Sequence, residues 1–176
     1  MKALTKIICA MLIVGGVTLG AHAQATKADK KAAKIAEIAM LINTKNFVFM
    51  ANYANPTRGM QSRSLTAEYD LTLSGDTLKA YLPYFGRAYL ADYNSATEGG
   101  IKFTTTDFTY KVTKGKKGNF EILINLLKSS LSDPRAVKTM RMDVTPDGYA
   151  SLQVISLNRD PISFDGEIQK KEKPKA

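Results

Sequence analysis

The sequence predicts a mainly β protein: a single antiparallel meander of about nine or ten strands forming a curved sheet, barrel-like or sandwich-like, preceded by one N-terminal helix. Three observations predict it. Apolar and polar residues alternate in many short runs between Phe47 and Ile168, turn signals separate those runs, and helical spacing is sustained in only one stretch, before Asn46.

The chain opens with Lys2 and Lys6, an uncharged run from Ile7 to Ala21, and Ala21-His22-Ala23. That order is the pattern of a cleavable signal peptide over residues 1–23, cut before Gln24. Gly15, Gly16, Thr18 and Gly20 dilute the run below what a membrane span requires. Cys9 lies too early, behind Ile8, to be the lipidated cysteine of a lipoprotein. The expected address is therefore outside the cytoplasm, without a lipid anchor.

Residues 24–45 form the helical segment, with Ala32, Ile35, Ile38, Ala39 and Ile42 on one stripe and lysines opposite. The stripe needs cover from the β domain or from a membrane surface. From residue 46 to 168 the period is that of strands. Phe47, Phe49 and Ala51 alternate with Val48, Met50 and Asn52 up to Asn55-Pro56. Tyr69, Leu71 and Leu73 follow, then Gly75-Asp76, a two-residue hairpin with glycine where a positive φ is required. The return strand stops at Pro83. A short strand and a loop are expected between Gly86 and Gly100, around Tyr89, Leu90 and Tyr93.

Alternation resumes at Ile101 and Phe103, then at Phe108, Tyr110 and Val112. A basic tip, Lys114 to Gly118, leads to Phe120, Ile122, Ile124 and Leu126. After a break over Ser129 to Pro134 come Met140, Met142 and Val144, the turn Pro146-Asp147-Gly148, and Ala150, Leu152 and Val154. Ile162, Phe164 and Ile168 close the series around Gly166. Residues 169–176 read as a disordered basic tail. A sheet of this length curls, closes or folds over, and the helix can cover one open end or face.

The chain carries 25 Lys and Arg against 16 Asp and Glu, with one Cys and one His. Removal of residues 1–23 leaves a net charge of +7 and takes Cys9 and His22 with it. Disulfides, thiol nucleophiles, Ser-His-Asp triads and zinc or copper sites built on imidazole or thiolate are then excluded. No cofactor or metal is implied. Asp143, Asp147 and Asp165 follow no calcium-loop spacing. Lys27, Lys30, Lys31 and Lys34, with Lys170, Lys171, Lys173 and Lys175, keep the two ends solvated or draw them to an anionic lipid or glycan surface. No nucleic acid partner is called for outside the cytoplasm.

Tyr81-Leu82-Pro83-Tyr84-Phe85-Gly86 sets three aromatics at a corner where a strand ends. With Phe47-Val48-Phe49, Asn55-Pro56, Gly148-Tyr149-Ala150 and the run Asn158 to Gly166, the chain resembles an exported bacterial family catalogued as domain of unknown function 4251. The likeness spans about Asn46 to Ile168. It implies a periplasmic or outer-envelope associated location in Gram-negative bacteria of the Bacteroides type, and supplies neither an activity nor a ligand.

The expected role is a non-enzymatic binding or interaction module for a small amphipathic ligand or a protein partner. Tyr81, Tyr84 and Phe85, flanked by Arg58, Arg63 and Arg87, are the candidate ligand-binding residues, because rings stack and arginines clamp anions. The plain counterpart is a corner plug. A small-ligand role requires a concave, partly apolar pocket reached by those rings, whereas a filled interior leaves contact with a partner chain. Arg159 and Asp160 read as a turn locked before Pro161. One alternative is a carboxylate hydrolase acting on an envelope polymer, using Glu68 and Asp70, about 7 Å apart on one strand face, with Asp92 and Glu98. The other is a purely structural envelope role. Met140 and Met142 line either a cavity or the core.

Overall fold

A computed structural model describes residues 27–57, 61–89, 100–127 and 136–171. The expected signal peptide, Arg58, Leu90, Asp92, Tyr93, Glu98, the break over Ser129 to Pro134 and the tail beyond Lys171 lie outside the described residues. The chain falls into two units, Met1–Lys30 and Lys31–Ala176. The described part of the first is Lys27 to Lys30, the exposed first turn of a helix. No described helix is long and apolar enough to cross a membrane.

Helix α1 spans Lys27–Asn43 and is followed by nine strands: β1 Asn46–Pro56, β2 Arg63–Ser74, β3 Thr77–Leu82, β4 Ile101–Thr105, β5 Phe108–Lys114, β6 Phe120–Leu126, β7 Val137–Val144, β8 Tyr149–Ser156 and β9 Ile162–Gln169. All pair antiparallel in one sheet of order β4-β3-β2-β1-β9-β8-β7-β6-β5. Each strand pairs with its sequence neighbours, save that β4 and β5 do not pair with each other. The first and last strands, β1 and β9, pair with each other, and β4 and β5 form the two edges. The result is a nearly closed barrel, the outcome expected of a long meander.

The registers show how the seam between the edges is bridged. Thr105 of β4 aligns through Leu78 and Leu73 with Phe47, at the start of β1. Lys114 of β5 aligns through Phe120, Val144, Ala150 and Gly166 with Ala51, farther down β1. Phe108 lies farther down still. Thr106 and Asp107 therefore connect the upper end of one edge to the lower end of the other. Such stagger is what strand tilt imposes on a closed sheet. β4 and β5 act as one kinked strand whose first half pairs with β3 and whose second half pairs with β6.

Alternate residues of every strand point inward and fill the interior. Phe47, Phe49, Leu71, Leu73, Leu78, Met140, Met142, Leu152 and Phe164 are all fully buried. The methionines belong to this packing, at about 1.5–3 kcal/mol per buried side chain of that size. Gly166 is required by backbone approach, because a Cβ there would sit 1.9 Å from the Met50 carbonyl oxygen. The β1 register shifts at this point, between Ala51 and Tyr53, and Leu65 to Glu68 of β2 bulge opposite Asn52. Gly75, at φ +59, makes the expected hairpin between Ser74 and Thr77.

From Lys31 onward, α1 covers one mouth of the barrel. Ile38, Leu41 and Ile42 are buried, whereas Ala32 of the expected stripe is exposed and Ile35 is half-buried. Gly148, at φ +93, has no Cβ that would meet Ile38 at 2.8 Å. The Tyr110 hydroxyl donates to the Ile42 carbonyl at 3.0 Å, and Gly75 N–H donates to the Lys45 carbonyl at 2.8 Å. Burial raises the Tyr110 pKa well above its ordinary value. The helix thus covers one mouth of the barrel with apolar side chains.

Candidate binding face at the long-loop end

The connections at the helix end are short, over residues 44–45, 75–76, 115–119 and 145–148. At the opposite mouth the connections run over residues 57–62, 83–100, 127–136 and 157–161. Longer connections on a rigid frame are where binding residues gather. The candidate residues fall here.

Pro83 ends β3, and the chain turns inward through Tyr84 and Phe85, both half-buried. Gly86 permits this turn, because a Cβ there would stand 2.6 Å from the Tyr84 hydroxyl oxygen. That hydroxyl donates to two carbonyls, Arg87 at 2.8 Å and Asp160 at 3.2 Å. Residues 87–89 then run beside the β8–β9 loop. Ala88 and Arg159 form an isolated antiparallel bridge, Asp160 N–H donates to the Arg87 carbonyl at 3.1 Å, and Tyr89 N–H donates to the Asn158 carbonyl at 2.9 Å. The short strand and loop expected around Tyr89, Leu90 and Tyr93 fall mostly outside the described residues, which show this bridge at Ala88.

Arg159 and Asp160 are each only 6% exposed. The Asp160 carboxylate accepts the Tyr89 hydroxyl. The Arg159 guanidinium lies 4.7 Å from the centre of the Tyr84 ring, and its Nη1 donates to the Gly100 carbonyl at 3.5 Å. The lock at Arg159-Asp160 is thus a tie between distant loops and not a local turn. Burial, first, and the Asp160 charge, second, raise the Tyr84 pKa, against the opposing pull of Arg159.

Each aromatic of the corner carries a cation on its face. Lys102 Nζ stands 4.8 Å from the centre of the Tyr81 ring, Arg159 covers Tyr84, and the Arg63 guanidinium lies 4.8 Å over Phe85. Tyr81 also packs on Tyr69, ring centres 5.4 Å apart. Contacts of this type are worth about 0.5–1 kcal/mol when exposed and more when desolvated. Tyr81, at 36% exposure, and Arg63 face solvent, while Tyr84 is turned into the fold. Around them, Asn55 donates to Asp165 at 2.6 Å, and Thr57 donates to the Pro161 carbonyl at 2.5 Å, tying the β1 end to β9.

Of the sequence-selected residues, the fold brings Tyr81, Tyr84, Phe85 and Arg63 together. Arg87 contributes its carbonyl and points its side chain to solvent. Arg58 lies outside the described residues. Lys102, Tyr69, Tyr89, Arg159 and Asp160 complete the cluster, joined to it by pairings no local pattern encodes. Of the acids considered for hydrolysis, Glu68 is exposed, and Asp70 accepts the Thr72 hydroxyl at 2.6 Å. Among the described residues no cluster of His, Cys, Asp and Glu is suited to a metal ion.

Comparison with known proteins gives a family and a fold. The family model described as "Domain of unknown function (DUF4251)" matches residues 29–168. A crystal structure of a DUF4251 family protein from Bacteroides eggerthii DSM 20697 superposes with a TM-score of 0.56 at 15% identity, covering 80% of this chain and 91% of that one. No curated protein matches the chain.

Proposed function

The chain belongs to the DUF4251 family, and on that premise we propose that it is an exported, non-enzymatic interaction module of the cell envelope that binds a partner chain at its long-loop end. The observation that carries the reading is the corner Tyr81 to Phe85, where every ring is capped by Lys or Arg at the mouth with the longer connections. Exposed Tyr and Arg are the side chains most enriched at the centres of protein interfaces, because they offer large contact area, a polar tip and a charged fork.

The interior supports a partner chain over a small amphipathic ligand. Its inward positions are occupied by fully buried side chains, Met140 and Met142 included. The corner rings lean on the frame and on their cations, so their free surface is the rim, led by Tyr81 and Arg63. Export rests on the pattern of residues 1–23, which also supplies the mature chain's lack of Cys and His.

Native mass spectrometry of the protein isolated from its producing cell tests both parts. The expected mass is that of a chain starting at Gln24, carrying a stoichiometric protein partner that Tyr81→Ala with Arg63→Glu removes. An intact leader contradicts export. A bound small molecule, or a partner retained by the double variant, contradicts the proposed face.

A further inference from the structure

The helix end carries a second feature, independent of the loop-end reading: its cations converge from separate parts of the chain. Lys31 reaches Asp147 in the β7–β8 turn at 4.0 Å, which places this part of α1 over that turn. The basic β5–β6 turn lies beside it, since a Cβ on Gly118 would be 3.4 Å from Pro146. Lys45 Nζ sits 5.7 Å from the centre of the Tyr110 ring. At the end of β9, Ile168 N–H donates to the Gly148 carbonyl at 2.7 Å, and Lys171 reaches Ser74 beside the β2–β3 turn at 2.9 Å. Lys34, Lys45, Lys114, Lys116, Lys117 and Lys171 therefore surround one mouth, all but the half-buried Lys45 exposed. Glu37, Asp76, Glu121, Asp143 and Asp147 stand among or just below them, Asp147 beside Lys31 and Glu121 beside Gly115.

We infer that this helix-capped end is a docking surface for an anionic lipid bilayer. The cations ring a mouth that α1 covers, and among the described residues they are lysines, while Arg63, Arg87 and Arg159 stand with Lys102 at the other mouth. Arginine forks suit directed, planar recognition, whereas lysines are hydrated point charges that suit a diffuse layer of headgroups. Met40, 54% exposed on α1, adds an apolar group to the same end. Charge complementarity and a surrounding rim favour a surface over a single anion. Docked this way, the protein would hold its arginine- and aromatic-rich mouth away from the membrane.

The test uses protein expressed from its full sequence and purified in the form the cell retains. Co-sedimentation is measured with phosphatidylcholine vesicles and with vesicles of phosphatidylglycerol and phosphatidylcholine, across a salt series. The inference expects binding to the anionic vesicles alone, weakened by salt. Lys34→Glu, Lys114→Glu and Lys116→Glu together should reduce it by about tenfold or more, while Arg141→Glu, exposed midway along β7, leaves it nearly unchanged. These lysines are exposed, so circular dichroism should show an unchanged fold, and the salt series on the unsubstituted protein gives a reading that needs no variant. Equal binding to both vesicle types, salt-independent binding, an unaffected triple variant, or retention by soluble polyphosphate without vesicle binding would each overturn it.

Discussion

At the helix end, Ile38, Leu41 and Ile42 cover the barrel mouth with apolar surface, and the turns beneath them are short. At the loop end, the cover is polar and aromatic: Tyr84 hydroxyl on two carbonyls, Asp160 holding Tyr89, and Arg159 lying across Tyr84. The difference separates two tasks. An apolar cover is strong and indifferent to exact geometry, whereas a buried charged network holds loops in one arrangement and loses much if a member is removed.

Variants at the two mouths can break this comparison. Ile42→Ala deletes fully buried methylenes under the helix and should cost about 2–5 kcal/mol. Thermal or denaturant unfolding should show it as a global loss. Tyr89→Phe leaves the buried Asp160 carboxylate without that donor, and a cost of about 1–3 kcal/mol follows. Hydrogen exchange should locate the change, with faster exchange at Asp160 and Tyr89 while the strands under α1 keep their protection. Uniform loosening from Tyr89→Phe would mean that the two mouths are not energetically distinct.

Alkaline pH sharpens the contrast more gently. Folding raises the Tyr110 pKa through burial, so the neutral phenol is favoured in the folded state. The associated stability is fully present below about pH 10, the ordinary tyrosine value, and is lost as pH rises through the higher folded value. Melting temperature measured from pH 8 upward should fall more steeply above pH 10 in the parent than in Tyr110→Phe. Parallel curves would contradict this.

Much of the fold was legible because its signals are local. Alternation places Phe120, Ile122, Ile124 and Leu126 on one face, and Gly75 and Gly148 mark turns that need positive φ. The β1–β9 pairing and the kinked crossing at Thr106-Asp107 were not legible, since they depend on stagger accumulated around the sheet. The candidate site divides in the same way. Tyr81, Tyr84 and Phe85 are adjacent and conspicuous. Tyr89 and Asp160 meet across 71 positions, and Tyr84 reaches the Asp160 carbonyl across 76. The available hint was the pair Arg159-Asp160 before Pro161, two charges where a turn needs only one polar side chain.

The division of labour between the mouths can be measured directly by site-specific photocrosslinking in the producing cell, with a photoreactive residue replacing Leu157 at the loop end or Met40 on α1. Both positions are exposed, at 43% and 54%. One discrete protein adduct from position 157, with lipid but no protein adduct from position 40, is the predicted result. A discrete protein adduct from position 40 and none from position 157 would contradict it.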